Sequence, residues 1–229
     1  MDKVKRELKS PRSYEQFCAL ARALDLVGER WTLLIVRELL PGPLRYNELK
    51  SSLAGIATNL LADRLRALES NGIVERQLGE AGVRYALTPW GAGLQEPMEA
   101  LGRWGAPLLA TGRNGDSFQP RWLALALPAL LRGVTATPPV ELGLETDGFR
   151  LILRIDANGP SAVAQTDQQP DTVFSAVPDV VIGLAAGGLT LDQALALGEL
   201  RGDRRTLSAA FPPGRTIGAT AVPPATTND

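Results

Sequence analysis

RYNELKSSLAGIATNLLADRLRALESNGIVERQLGEAGVRYALT, residues 45–88, decides the fold. Tyr46, Leu49 and Leu53 recur at the spacing of one helical face, and Leu61, Leu65 and Leu68 do the same in a run that starts at Thr58. Between the two runs Ala54-Gly55-Ile56 makes a tight turn. Two short helices joined by so short a Gly-containing turn form a helix-turn-helix, whose second helix enters the major groove of DNA. Residues 73–78 and 83–88 then alternate around a Gly-bearing loop, Gly79 to Gly82, and predict a β-hairpin. A helix-turn-helix followed directly by a hairpin is the order of a winged helix.

Upstream, residues 14–26 place Phe17, Leu20, Ala21 and Leu24 at helical spacing, with Ser13 positioned as N-cap. RWTLLIVRELL, residues 30–40, is too apolar for a surface helix and predicts the core helix, ended by Pro41, Gly42 and Pro43. Downstream, residues 89–110 predict one more amphipathic helix through Leu94, Met98, Leu101, Trp104 and Leu108, with Trp90 near its start. The other helices already serve a small core, so this apolar face is expected to meet its own copy in a twofold dimer. Trp31, Trp104 and Trp122 stand among apolar neighbours and are expected in cores.

The small, polar tract 111–117 marks a boundary, so residues 1–112 read as one domain. Beyond it, residues 121–134 read as a helix, and 140–148 with 149–157 as hairpin strands joined at Asp147-Gly148. Residues 161–166 suggest a third strand, and 171–198 helices mixed with a strand. A second domain over 118–212 follows, then a Pro-, Thr- and Ala-rich tail, 213–229, expected to be disordered. The fold class is α+β.

The 229 residues are 45% hydrophobic and 21% charged, enough to bury a real core. No uncharged apolar run is long enough for a membrane span and the start, MDKVKRELKS, is charged, so a cytoplasmic protein without a membrane partner is expected. Cys18 is the only cysteine and histidine is absent, which removes internal disulfides, the commonest metal ligand and the commonest general base. There is no G-x-S-x-G, G-x-G-x-x-G or Walker-type loop either, so neither an enzyme nor a bound metal or cofactor is expected. Residues 1–112 hold 15 Lys and Arg against 13 Asp and Glu, and residues 113–229 hold 9 against 12. That excess is too small to diagnose nucleic acid; the placement of the cations must decide.

Longer motifs sharpen the reading. Cys18, Ala21 to Gly28, Trp31 to Ile35, Arg45 to Leu49, Gly55-Ile56, Leu61, Arg64-Leu65, Leu68-Glu69, Gly72 to Val74, Tyr85, Leu87-Thr88 and Trp104 keep one register over residues 14–110. In that register they resemble the HxlR family of bacterial winged-helix regulators. The resemblance implies a transcription regulator with double-stranded DNA as partner, most simply a repressor acting as a homodimer on a pseudo-palindrome. Ala19 and Ala57 depart from the family's Pro and Ser, and Thr58 is expected to cap in place of residue 57. The family's Pro-Pro-Arg wing turn is replaced by the shorter, acidic Gly79-Glu80-Ala81-Gly82, which implies a weak wing contact. Cys18 matches a position where some members carry a sensing thiol; its alternative is a small buried hydrophobe near the dimer seam. Through VELGLETDGFRLILRI (residues 140–155), Asp179-Val180-Val181-Ile182 and LTLDQALALGELRGDRRTL (residues 189–207), the region 118–212 resembles a sterol-carrier-protein-type domain, which implies an apolar tunnel and a hydrophobic small-molecule effector. Leu127, Leu151, Leu153, Val173, Phe174, Val180, Ile182, Leu184 and Leu195 could line such a cavity and suit a packed core equally well.

At 100° per residue from the leucine stripe, Asn59, Ala62, Asp63, Arg66 and Ser70 face the other way and are expected to look into the groove. Thr58 and Asn59 should reach base edges, Asn59 being suited to a bidentate contact with adenine. Arg66 could read guanine or clamp phosphate, and Asp63 either accepts from a cytosine amino group or orients Arg66. Arg45, Lys50, Arg76 and Arg84 are candidates for phosphate contacts, each alone being equally a surface charge. The acidic wing and small front charge keep a competing reading open, a carrier of hydrophobic ligands or interaction module that does not bind DNA.

Overall fold

The computed structural model describes residues 13–79, 82–111, 115–164 and 170–214. The Glu80-Ala81 tip of the wing, part of the boundary tract and the tail from 215 onward lie outside the described residues.

The front half carries α1 (Ala19–Val27), α2 (Thr32–Leu39), α3 (Tyr46–Ser52) and α4 (Thr58–Ser70). The hairpin β1 (Val74–Gly79) and β2 (Gly82–Leu87) follows, then α5 (Pro89–Ala92) and α6 (Gln95–Gly105). Ile35, Val36, Leu39, Leu49, Leu53, Ile56, Leu61, Leu65 and Leu68 form one buried cluster, so the leucine stripe of α4 and the apolar run of α2 meet as their periodicities require. Gly55 takes φ +90° in the turn between α3 and α4, a conformation that suits glycine. Leu44 bridges Tyr85 by two backbone hydrogen bonds of 3.0 and 2.7 Å, adding a third short segment to the hairpin.

Several expectations need correction. The first helix starts at Ala19, not at residue 14, and Ser13 does not cap it. The Ser13 hydroxyl donates to Asp25 (3.0 Å), the Tyr14 amide donates to the same carboxylate (2.8 Å), and the segment is thereby folded back along α1. Phe17, Leu20 and Leu24 are exposed; only Ala21 and Val27 of that helix are buried. Residues 89–110 are not one helix. Thr88 caps α5 by accepting from the Gly91 amide at 3.0 Å, and a Cβ at Gly91 would stand 2.0 Å from the Ile73 carbonyl oxygen, so α5 is seated on β1's approach before α6 begins. On α6, Met98 is buried, whereas Trp104, expected in a core, is 77% exposed beside exposed Leu101 and Leu108.

The rear half begins with α7 (Leu123–Leu130), preceded by a single turn at Pro120–Trp122. A five-stranded sheet follows, built from β3 (Val140–Thr146), β4 (Phe149–Asp156), β5 (Gly159–Ala164), β6 (Val173–Ser175) and β7 (Glu199–Arg201) in the order β5-β4-β3-β6-β7. Only the β3–β6 pair is parallel. Asp147 (φ +46°) and Gly148 (φ +78°) join β3 to β4 as the sequence predicts, both central residues having positive φ. α8 (Pro178–Ala185), α9 (Leu191–Leu197) and α10 (Arg204–Ala210) complete it. Leu151, Leu153 and Ile155 alternate inward on β4, where they join Leu123, Leu127, Leu131 and Phe174 in one buried cluster. Arg150 and Arg154 alternate outward, paired across the strands with Glu145 and Glu141.

The two halves are not independent. Leu125 of α7 packs on the front cluster while Leu123 and Leu127 belong to the rear one, so α7 is shared between both cores.

Candidate nucleic-acid interface

Leu61, Leu65 and Leu68 anchor α4 with at most 2% exposure. Thr58, Asn59, Asp63, Arg66 and Ser70 are exposed and Ala62 half-buried, so the flank deduced from the wheel is the open one. Thr58 does not cap: Ala57 occupies the N-cap with extended backbone and no side-chain acceptor, and Thr58 is already the first helical residue. The first-turn amides of α4 therefore have no side-chain cap. Tyr46 ties the two helices together, its hydroxyl donating to the Thr58 carbonyl at 2.7 Å.

The cations divide into two groups. Arg66 is ion-paired with Asp63 on the open flank, the arrangement in which the carboxylate orients the guanidinium. Lys50 donates to the Ile56 carbonyl at 2.6 Å and so closes the turn before α4. Arg76 pairs with Glu69 at the end of α4 (2.8 Å) and lies 5.8 Å from the Tyr85 ring centroid. Arg45 is half-buried at the start of α3, its amide donating to Glu48 at 2.6 Å. Arg84 is exposed, stands opposite Gln77, and makes no ion pair among the described residues. Because Arg76 faces Tyr85 in the register and Arg84 faces Gln77, the two hairpin arginines lie on opposite faces and are not brought together. Arg64, on the other flank of α4, pairs with Glu29 at 2.7 Å and fixes α4 to the loop before α2.

Cys18 is exposed at the N-cap of α1. The backbone N–H groups of Ala21 and Leu20 hold its thiol below the ordinary value. Arg22 leans instead toward Ser13 and Asp25.

A model of the HxlR-like helix-turn-helix family matches residues 26–112. The HTH-type transcriptional regulator YodB of Bacillus subtilis (strain 168) is 41% identical over 85 residues, 36% of this chain and 76% of that protein. The chain belongs to the HxlR-like helix-turn-helix family. Among further relatives of this HxlR-like chain, the HTH-type transcriptional regulator YtfH of Escherichia coli (strain K12) is 31% identical over 104 residues, 44% of this chain and 82% of its own. The solved structure of the reduced form of YodB from B. subtilis is 35% identical, covers 42% of this chain and 99% of that one, and superposes with a TM-score of 0.37. The family match ends at residue 112, so the rear sheet of this HxlR-like protein lies beyond it.

Sequence reading missed one cluster. Glu38, at the end of α2, is wholly buried; its carboxylate accepts from the Trp122 indole N–H (2.6 Å) and from Arg37 (2.8 and 3.1 Å), and its carbonyl accepts from Arg121 (2.7 Å). Burial lowers the Arg37 and Arg121 guanidinium pKa, and the charge of Glu38 opposes that shift in both. The available signal was an Arg37-Glu38 pair closing the apolar run of α2.

Proposed function

We propose that this protein is a sequence-specific DNA-binding transcription regulator, acting as a dimeric repressor, whose rear half senses an apolar small molecule. The observation that carries the reading is the exposed polar flank of α4 above its buried leucines, with the hairpin next to it. In this reading Thr58 and Asn59 reach base edges, Ala62 lets the helix lie close, Arg66 held by Asp63 contacts guanine or phosphate, and Arg84 contacts phosphate. Lys50 and Arg76 spend their charges largely inside the front half and act by holding the helix pair and hairpin in place, while Arg45, whose backbone amide alone bonds Glu48, keeps its guanidinium for a phosphate. Dimerisation is supported by the exposed Trp104, Leu101 and Leu108 of the α6 region, apolar groups that a twofold copy would cover.

For the rear half, the resemblance to sterol-carrier-type domains is supported by helices laid on one face of a sheet around a continuous apolar cluster. An apolar effector would enter by opening that cluster, since Leu127, Leu151, Leu153 and Phe174 are packed with no exposure.

The second reading, a carrier or interaction protein that does not bind DNA, is favoured by one observation: of the cations near α4, most are already paired with acids or carbonyls. Fluorescence anisotropy on a duplex from the region upstream of its own gene, at two salt concentrations, separates the readings. Under the first, Asn59→Ala relaxes preference at one base pair, by about 1–3 kcal/mol, and Arg84→Ala weakens all duplexes and flattens the salt slope by about 1. No binding at low salt establishes the second.

A further inference from the structure

Among the described residues Glu38 is the only wholly buried charge, and it closes α2, where helical carbonyls find no partner within their own helix. The rear half supplies the missing partners. Arg121 donates to the Glu38 carbonyl (2.7 Å) and its Nε stands 3.4 Å from the carboxylate, capping the negative end of α2 with a cation. Trp122 donates its indole N–H to the carboxylate (2.6 Å) and offers its ring to Arg37, whose guanidinium carbon lies 3.7 Å from the ring centroid. These two residues lead straight into α7, whose Leu123 and Leu127 belong to the rear core.

In the other direction the path is equally short. Glu38 is followed by Leu39, Leu40 and the stiff Pro41-Gly42-Pro43, then by Leu44, bridged to Tyr85, and by α3. Tyr46 at the start of α3 holds the first residue of α4. From the rear core to the DNA-facing helix, then, every step is a hydrogen bond, an ion pair or a few residues of rigid chain.

We propose that the Glu38–Arg37–Arg121–Trp122 cluster is the joint through which the rear half controls the DNA-reading helices. It rests on the function proposed above. Seated, the joint fixes the end of α2 and with it the spacing of α3 and α4. An apolar guest that enters the rear core displaces α7 and draws Arg121 and Trp122 off Glu38. A buried carboxylate does not tolerate losing one of its three hydrogen bonds together with the nearby Arg121 charge, so water enters as they leave, and the joint has two discrete arrangements rather than a continuum. In the unseated arrangement α3 and α4 lose their fixed spacing and DNA is released.

The test uses the full chain with Trp122→Phe, which keeps an aromatic ring and loses the indole N–H, and Arg121→Lys, a milder second variant. Amide hydrogen exchange and anisotropy on the upstream duplex are measured well below the unfolding temperature. The expected result is exchange at least fivefold faster over residues 38–60, unchanged exchange in β3 and β4, and DNA affinity at least fivefold weaker. Combining Glu38→Gln with Trp122→Phe should weaken DNA binding no further than the worse single variant, as for two parts of one device. Exchange altered only around residues 118–131, or DNA affinity within twofold of the wild type in both variants, overturns the joint. If the wild type binds no duplex at low salt, the proposed function falls by itself. Exchange over residues 38–60 then judges the joint alone: acceleration sustains it as a mechanical link, and an unaltered rate removes it.

Discussion

Asp63→Asn should tighten DNA binding. Asp63 and Arg66 are paired on the open flank of α4, with side chains 52% and 68% exposed. An exposed pair of this kind contributes about 0.2–1 kcal/mol to the fold, so the substitution leaves α4 intact on its three buried leucines. Under the proposed function its effect on DNA is larger, because a negative charge next to the bound phosphates is removed and Arg66 is left uncompensated. For a phosphate about 7 Å away the recovered Coulomb energy is about 0.6 kcal/mol in a water-like dielectric and about 2.4 kcal/mol at an effective constant of 20. That is a gain of about threefold to about sixtyfold in affinity. One further net phosphate contact also steepens the dependence of log K on log salt by about 0.9. Anisotropy titrations of the upstream duplex and of a scrambled duplex, each at two salt concentrations, read both quantities. If the substitution weakens binding, and only to duplexes keeping one C·G pair, then Asp63 reads a base and its role as a brace for Arg66 is wrong.

Other outcomes follow from the same geometry. Trp104→Arg places a charge where the proposed dimer seam needs an apolar anchor; a loss of about 2 kcal/mol, about thirtyfold in dimer dissociation, should appear by light scattering, and an unchanged mass at the lowest concentration refutes the seam. Burial pushes the Glu99 carboxyl above its ordinary 4.5, with Gln95 and Arg103 opposing. The folded state therefore holds its proton more tightly, so this group's contribution is fully present below pH 4.5 and is lost as pH rises through the higher folded value. Glu99→Gln should thus stabilise the protein at pH 7 and change nothing at pH 4 in denaturant titrations; equal effects at both pH values contradict the assignment. Cys18, with the first-turn amides of α1 favouring its thiolate, should be alkylated by iodoacetamide with a pH midpoint below that of a free thiol, and a midpoint at or above that value removes the case for sensing.

Wherever burial followed from local period, the sequence was a sufficient guide. The stripe Leu61, Leu65, Leu68 and the alternation of Leu151, Leu153 and Ile155 are intra-element patterns, and each appears in the structure on the face the period assigns. The Asp147-Gly148 hairpin was legible for the same reason, since its two positive φ angles are a requirement of the turn alone. The first helix misled because its period is real but its cover is not: Phe17 precedes the helix, and Phe17, Leu20 and Leu24 are left exposed among the described residues. Residues 89–110 misled because an apolar period runs on through a break. Gly91 must approach the Ile73 carbonyl more closely than any side chain allows, a demand set by β1's entry and not by neighbours in sequence.

The joint at Glu38 shows why charge is harder to place than hydrophobicity. Leu34 and Glu38 lie one turn apart on α2, yet the leucine is 40% exposed and the glutamate fully buried. A hydrophobic period assigns the opposite, because it weighs each side chain by its cost in oil and cannot see a donor waiting there. Arg37 next in sequence supplies two of the carboxylate's hydrogen bonds, but the indole that completes them and the guanidinium that bonds the Glu38 carbonyl come from residues 84 and 83 positions away, beyond any local pattern. Such a reversal persists only if both halves are seated together, since α2 alone would turn Glu38 toward water. The burial of that one carboxylate is therefore a property of both halves together, and it ties the front fold to the placement of α7.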